Sequence, residues 1–343
     1  MDANQTTPEI PIQIFQMMMG GWAAQCLATV ARLGIADELD ERAMTSDELA
    51  HAVGADSDAM ARLLRAATAT GLLTADDDLR YHATPAAACL RRDAPGSMRN
   101  LVISLLAPGH WKPWGHLYDT IVTGQPAVEA TLGCALWDYY DHNDEELEWF
   151  AGGMSDISNV VSLDTVAAYD FARFETIVDV GGSHGVMLAA ALSAAPDGRG
   201  VLFDRPDVIA AGRDTVASYG LDGRLTTIGG DFFHEVPAGG DLYLLKAIVH
   251  DWDDAAARTI LQRVRAAAKP SSTLLLVELL LPDTITAEAA PVTLMDLNML
   301  VLFGGRERTE AEFRALLGSA GWTLDRVVPT RGMGSLLEAT CSA

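Results

Sequence analysis

From Ala168 onward, short β-rich runs alternate with helical segments: TIVDVGG, GRGVLFDR, LTTIGGDFF, DLYLLKAIV and STLLLVELLL, each followed by a helix or loop. Near-continuous apolar strands separated by helices bury both faces only in a parallel sheet covered on both sides. The back half is therefore expected to be α/β. It closes with WTLDRVVPTRGMGSLLEATC, two strand runs about a Gly-rich turn that fit a terminal antiparallel pair. In open parallel sheets, ligands bind beyond the carboxyl ends of the strands, so the residues at those ends carry the argument about function.

The front half is helical. Residues 10–39 are apolar around much of a helix circumference, with Met17, Met18 and Met19 in succession, a pattern that expects burial against another chain or domain. The stretch TSDELAHAVGADSDAMARLLRAATATGLLTADDDLRYHAT then reads as two capped helices and a short hairpin, the pattern of a winged helix-turn-helix. Thr45 or Ser46 begins the first helix, with Glu48 placed for a capping box; Asp56 or Ser57 begins the second, and Gly71 ends it. Such a module suggests DNA binding, but its second helix offers only Arg62 and Arg65 as cations and the chain carries a net charge of −23. A recognition helix needs cations to position phosphates, so scaffolding or dimerisation is the expected role, with no nucleic acid as partner. The chain divides into a domain over 1–105 and another over 106–343.

With 343 residues, 49% of them apolar, the chain can bury a sizeable core. No run of about 18 apolar residues escapes charges or breakers, so no membrane span is expected, and MDANQTTPEI has no basic leader region. Cys26, Cys89, Cys134 and Cys341 are scattered, as buried thiols rather than a disulfide frame or zinc site would be. A soluble, cytoplasmic protein is expected.

The first strand of the alternating half ends in DVGGSHG. Counted from Gly181, Ser183 and Val186 stand where a dinucleotide fingerprint needs glycines, so the loop does not read as an NAD site; a tight strand-to-helix turn alone would also need a glycine. Asp204 closes the next strand, placed for a ribose diol. Asp231 and Phe232 close the third, an acid and an aromatic suited to the edge and face of adenine. No cation follows the loop to balance a pyrophosphate. Together these describe a nucleoside site for a ligand without phosphates, such as a cationic sulfonium. Each acid taken singly is also an ordinary turn or cap residue.

The stretch LLKAIVHDWDD reads as a buried strand through Val249 that meets His250 and three acids. A metal site, a general base, and a strand end running into a capped helix all remain open on the residues alone. The middle of the chain is aromatic: Trp111, Trp114, Trp137 and Phe150 either line a flat apolar pocket or pack helices together.

In the order DVGGSHG, FDRPDVI, GDFF, LLKAIVHDWDD, LLLVELLLP and GGRERTEAEF, the chain resembles class I S-adenosylmethionine-dependent O-methyltransferases. The branch is the plant caffeic-acid type with its bacterial relatives that tailor aromatic polyketides, and the resemblance covers nearly the whole chain. It implies a Rossmann-like seven-stranded methyltransferase domain behind an N-terminal, mainly α, winged-helix dimerisation domain, and hence a homodimer. It implies S-adenosylmethionine as cofactor, S-adenosylhomocysteine as product, and no metal. It places Gly181 at the methionine part, Asp204 at the ribose, Asp231 and Phe232 at the adenine, and Lys246 and Ser158 also at the cofactor. His250 matches the catalytic base, with Glu278 and Glu307 flanking it; Met154, Asn298, Met299 and Leu302 border the acceptor. Asn298, the one polar member, either hydrogen-bonds the acceptor or satisfies a buried backbone group. The family's loop is commonly DVGGG, so Ser183 is a departure.

The expected reaction is methylation of a phenolic hydroxyl on an aromatic natural product. A phenol with a pKa of about 10 is a poor nucleophile at neutral pH, and a neutral imidazole is a suitable base. The rival expectations are methylation of nitrogen or carbon, a non-methylating reaction on the same fold, and a winged-helix regulator that senses a ligand.

Overall fold

The computed structural model describes residues 9–40, 42–332 and 334–342. The leader stretch read above lies outside these up to residue 8, as does Met333 in the closing turn. The chain forms two compact units: the residues up to Trp111 with Tyr140–Asp156, and Lys112–Tyr139 with everything from Ile157 onward. Among the described residues, no helix is long and apolar enough to cross a membrane.

The first unit opens with the 25-residue helix Glu9–Leu33, followed by the helices Ser46–Val53 and Ser57–Ala69. Thr45 caps the second helix through a full capping box: its hydroxyl accepts the Glu48 N–H (3.3 Å) and the Glu48 carboxylate accepts the Thr45 N–H (2.8 Å). Asp56 caps the third by accepting the Ala59 N–H (2.9 Å). Gly71 follows that helix at φ +82°, a left-handed position that glycine takes without strain. Strands β1 (Leu73–Ala75) and β2 (Tyr81–Ala83) then pair antiparallel, and Asp76 closes their turn by accepting the Asp78 and Arg80 N–H groups. This is the winged helix-turn-helix. Its core gathers Val30, Ile35, Leu49, Met60, Leu64 and Tyr81. Among the described residues, seven large apolar side chains of the opening helix, including Phe15, Met17 and Trp22, stay exposed within the chain, Met17 at 77% and Trp22 at 66%.

The second unit is a twisted sheet built from β3 (Thr176–Val180), β4 (Arg199–Asp204), β5 (Leu225–Gly229), β6 (Leu242–Lys246), β7 (Thr273–Leu281), the two-residue β8 (Arg308–Thr309), β9 (Trp322–Pro329) and β10 (Gly334–Cys341). The seven main strands lie in the order β5-β4-β3-β6-β7-β10-β9, with β8 beside β7. All pairings are parallel except those of β10, which runs against both neighbours. Period-two alternation divides the core. Val178, Tyr243, Leu245 and Leu276 join Ile260, Val264 and Phe313 on one face; Ile177, Leu242, Leu244 and Leu275 join Leu188 and Leu192 on the other. The Rossmann-like α/β architecture follows from this.

Chain order reverses between β3 and β6: β4 and β5 lie to one side of β3, while β7 lies on the far side of β6. That switch point is where a doubly wound sheet opens a crevice at its strand carboxyl ends. The glycine loop after β3 and the segment after β6 both begin there.

Candidate active site

At the switch point, space and conformation both require glycine at position 181. Gly181 has φ +73°, its N–H donates to Phe203 O (2.8 Å), and a Cβ there would stand 2.6 Å from Ile248 Cδ1. Two residues on, Ser183 also takes a left-handed backbone, φ +53°, and donates its N–H to Asp204 Oδ2 (2.7 Å). The departure from glycine thus keeps the backbone bond and adds strain, about 1–2 kcal/mol for a non-glycine residue in this region. Ser183→Gly is expected to raise unfolding stability by about 0.5–1 kcal/mol after the entropy of a freer unfolded chain is deducted. Urea denaturation checks this, and an unchanged or lowered midpoint would contradict it.

Asp204 ends β4 with Oδ1 on the Arg205 N–H (2.7 Å), and burial raises its pKa. Asp231 is exposed just beyond β5; its carboxylate accepts the Phe233 N–H and meets His234 Nδ1, both at 2.8 Å, and these contacts hold its pKa low. Phe232 beside it packs edge-on against Phe233 and Trp252. Ser158 is buried on the helix Asp144–Ala168.

β6 ends at Lys246, three residues earlier than the sequence reading placed it. The cause is local. Ala247 turns left-handed (φ +51°), and Glu278 Oε1, on β7, accepts the Ile248 and Val249 N–H groups (3.2 and 2.8 Å) in place of a continuing ladder. His250 then lies in a single 3₁₀ turn, Val249–Asp251. The three acids divide. Asp253 caps the helix Asp254–Ala267 by accepting the Ala255 and Ala256 N–H groups, as read from sequence. Asp251 instead approaches the histidine, Oδ1 to Nε2 at 3.5 Å.

His250 Nδ1 lies 2.9 Å from Glu307 Oε1 and 3.8 Å from Glu278 Oε2; both glutamates are buried. Burial works against the imidazolium, but the charge of Glu278, the Glu307 hydrogen bond and Asp251 outweigh it and raise the pKa to about 10. Burial pushes Glu278 up to about 7 against the pull of His250. The same three side chains bring their ligating atoms within 4.8 Å of one another, a metal-compatible spacing. However, Nδ1 and Glu307 are already at hydrogen-bond length, and one oxygen of Glu278 serves two amides.

Deeper in, burial lowers the pKa of Lys246 against the charges of Asp179, Glu278 and Asp251, and burial raises Asp179 to about 7. Four carboxyl groups (Asp179, Asp251, Glu278 and Glu307) therefore face two bases, Lys246 and His250. Asp179 Oδ2 is buried and makes no hydrogen bond among the described residues. An excess of carboxyl groups with an unpaired acceptor suits a ligand carrying ammonium and sulfonium charge.

Two contributors to this geometry escaped the sequence reading. Gly305 presses on the histidine turn so closely that a Cβ would stand 2.2 Å from His250 O, and the Arg306 N–H donates to that same oxygen (2.8 Å). Arg308 is fully buried, with its guanidinium against the turn. The doublet glycine and the arginine in GGRERT were the available signals.

The expected acceptor residues divide between the units. In the first, the Trp111 ring lies against Gly21, Phe150 packs with Tyr140 and with buried His110, and Met154 is half-buried. In the second, Trp114 donates its indole N–H to Asn298 Oδ1 (2.8 Å), and Trp137 tilts against Phe303. Met299 and Leu302 are buried on the helix Ala290–Leu302. The Asn298 carbonyl thus serves a side chain, and its amide N–H₂ meets Met295 Sδ at 3.8 Å.

Comparison with known proteins gives this arrangement its class. The O-methyltransferase domain profile matches residues 114–323, and the O-methyltransferase dimerisation domain profile matches residues 15–93. The chain belongs to the S-adenosylmethionine-dependent O-methyltransferase family. It is 36% identical to the phenazine O-methyltransferase PhzM of Lysobacter antibioticus over 99% of each chain. It is 32% identical to the 8-amino-8-demethylriboflavin N,N-dimethyltransferase of Streptomyces davaonensis, over 96% of this chain and 95% of that one. A solved O-methyltransferase from neocarzinostatin biosynthesis, in complex with S-adenosylmethionine and 2-hydroxy-5-methyl naphthoic acid, superposes with a TM-score of 0.79 at 33% identity, over 93% of this chain and 95% of that one.

Proposed function

We propose that this chain methylates a phenolic hydroxyl of an aromatic natural product, with His250 as the general base. The observation that carries the reading is His250 Nδ1 on Glu307 Oε1 at 2.9 Å, beyond the strand end that borders the glycine loop. A carboxylate on Nδ1 fixes the tautomer, so Nε2 is left to take the acceptor's proton, and it stabilises the imidazolium that results. Glu278 adds charge and holds the turn through two amides. S-adenosylmethionine supplies an electrophilic methyl group on a sulfonium. Gly181, Asp204, Asp231, Phe232, Lys246 and Ser158 are the residues proposed to hold it, and the buried carboxyl excess favours its positive charge. A cation bound among those carboxylates also lowers the His250 pKa toward a working range. Trp114 holds the Asn298 carbonyl, and the Asn298 amide N–H₂ is proposed as a donor to the acceptor's oxygen. Trp137, Met299 and Leu302 are proposed as the apolar border of the acceptor site. The dimerisation-domain match and the exposed apolar face of the helix Glu9–Leu33 support a homodimer.

Methylation of nitrogen is the second reading, favoured by the N,N-dimethyltransferase relative. A neutral aromatic amine needs no deprotonation before attack, so the buried His–Glu contact favours oxygen. The deciding experiment offers methyl-labelled S-adenosylmethionine with a panel of phenols and matched anilines. Label in methyl ethers supports the proposal, and label confined to amines overturns it.

The pH dependence follows from the same contact. Because neighbouring carboxylates raise the His250 pKa, the base form accumulates as pH rises, so kcat should climb with pH through neutrality. Glu307→Gln removes one of the raising causes. The rising limb should move to lower pH while the plateau falls about 10–100-fold, because the imidazolium is less stabilised. A limb at unchanged pH in a kcat–pH profile would contradict the assignment.

A further inference from the structure

Arg308 is 1% exposed and spends its whole guanidinium on the segment that carries His250. Nη1 donates to Val249 O (3.1 Å), Nη2 to Trp252 O (2.8 Å), and Nε to Asp254 Oδ1 (2.9 Å), with a weaker contact from Nη1 to Arg306 O (3.4 Å). Those carbonyls lie before and after His250 in the chain. We propose that Arg308 is the positioning residue of the site: its fork fixes the turn around His250 and so sets the imidazole against Glu307. The inference rests on the reading of His250 as base.

A three-residue 3₁₀ turn has little stability of its own, and buried carbonyls without partners are costly. Arg308 satisfies two of them with one planar group. Glu307 is its immediate neighbour, so the contacts close a ring: Glu307 carboxylate to His250 ring, His250 backbone to Val249 carbonyl, and Val249 carbonyl to the Arg308 guanidinium. Movement of the fork therefore moves both ends of the His–Glu bond. Asp254, half exposed, anchors the fork's other edge. Lysine would keep the charge but, as a point donor, cannot span two carbonyls and a carboxylate. Arg308→Lys therefore tests the fork rather than the charge.

The test uses the full-length protein, labelled with ¹⁵N-histidine and saturated with S-adenosylhomocysteine, so no acceptor is needed. Of the eight histidines, His250 is assigned as the signal missing from His250→Ala. In the wild type, a downfield Nδ1–H bonded to Glu307 is expected. Arg308→Lys should lose it and lower the His250 pKa by about one unit or more, with product affinity within about threefold of wild type. Asp254→Asn, at a half-exposed position that spares folding, should shift both signals in the same direction by less. An unchanged Nδ1–H signal and pKa in Arg308→Lys would overturn the proposal, as would the same result in Asp254→Asn if the lysine variant does not fold. A parallel collapse of product affinity would overturn it too, because Arg308 would then be shaping the whole crevice. The failure of the His250 base reading is told apart by turnover: His250→Ala with wild-type kcat removes that reading, whereas these spectra report on the fork alone.

Discussion

His250→Ala is expected to lower kcat by about 10²–10⁴-fold, the range a positioned general base supplies. Cofactor binding should survive, with product affinity within about threefold of wild type, because the glycine loop is held through Phe203 and Asp204. The expectation rests on how the ring is held. Nδ1 is committed to Glu307 at 2.9 Å, so the reactive face is Nε2, with Asp251 Oδ1 3.5 Å away. Removing the ring leaves Glu307 and Glu278 buried without their cation, which also costs stability. A melting measurement beside the kinetics separates that cost from lost catalysis. A variant that folds, binds S-adenosylhomocysteine and turns over at the wild-type rate would remove His250 from the chemistry.

Gly305→Ala is expected to be the most damaging single methyl addition around the site, with a stability loss of about 3 kcal/mol or more and no measurable turnover. The added Cβ would stand 2.2 Å from His250 O and 2.6 Å from the Asp251 carbonyl carbon. Both are backbone atoms, so no side chain can swing aside to relieve the clash. Gly304→Ala is the control. Its Cβ would meet Pro126 Cγ at 3.3 Å, and its φ of +73° adds strain of about 1–2 kcal/mol, but it does not touch the histidine turn. Urea denaturation of the two variants should therefore separate them clearly. Equal midpoints would mean that the close approach at Gly305 is not a constraint.

Much of this fold was legible because it rests on periodic signals. The apolar runs at β6 and β7 are buried over most of their length, as central strands of a covered sheet are, and the caps at Thr45 and Asp56 stood in plain sequence. The acids at the ends of β4 and β5 were legible for the same reason, since a strand end is a position sequence can mark. The meeting of His250 with Glu307, 57 residues apart, has no local signature and came from the ordered motifs. Other features were invisible because they are tertiary. β6 stops at Lys246 because a glutamate on a neighbouring strand takes the Ile248 and Val249 amides. Arg308 has no local sequence signature for its burial, because the carbonyls it serves at Val249 and Trp252 lie more than fifty residues away. The aromatic segment was legible in sequence as either a pocket lining or helix packing; Trp111 and Phe150 pack within one unit, Trp114 and Trp137 within the other.

The most direct test of the account compares wild type with His250→Ala across phenolic acceptors whose own pKa falls from about 10 to about 7. If His250 removes the acceptor's proton, the variant should lose about 10²–10⁴-fold in kcat on the least acidic phenols. It should recover most of that loss on phenols already ionised at the assay pH. A loss of the same size across the whole series would contradict the account, because it would show that the imidazole does something other than take the proton.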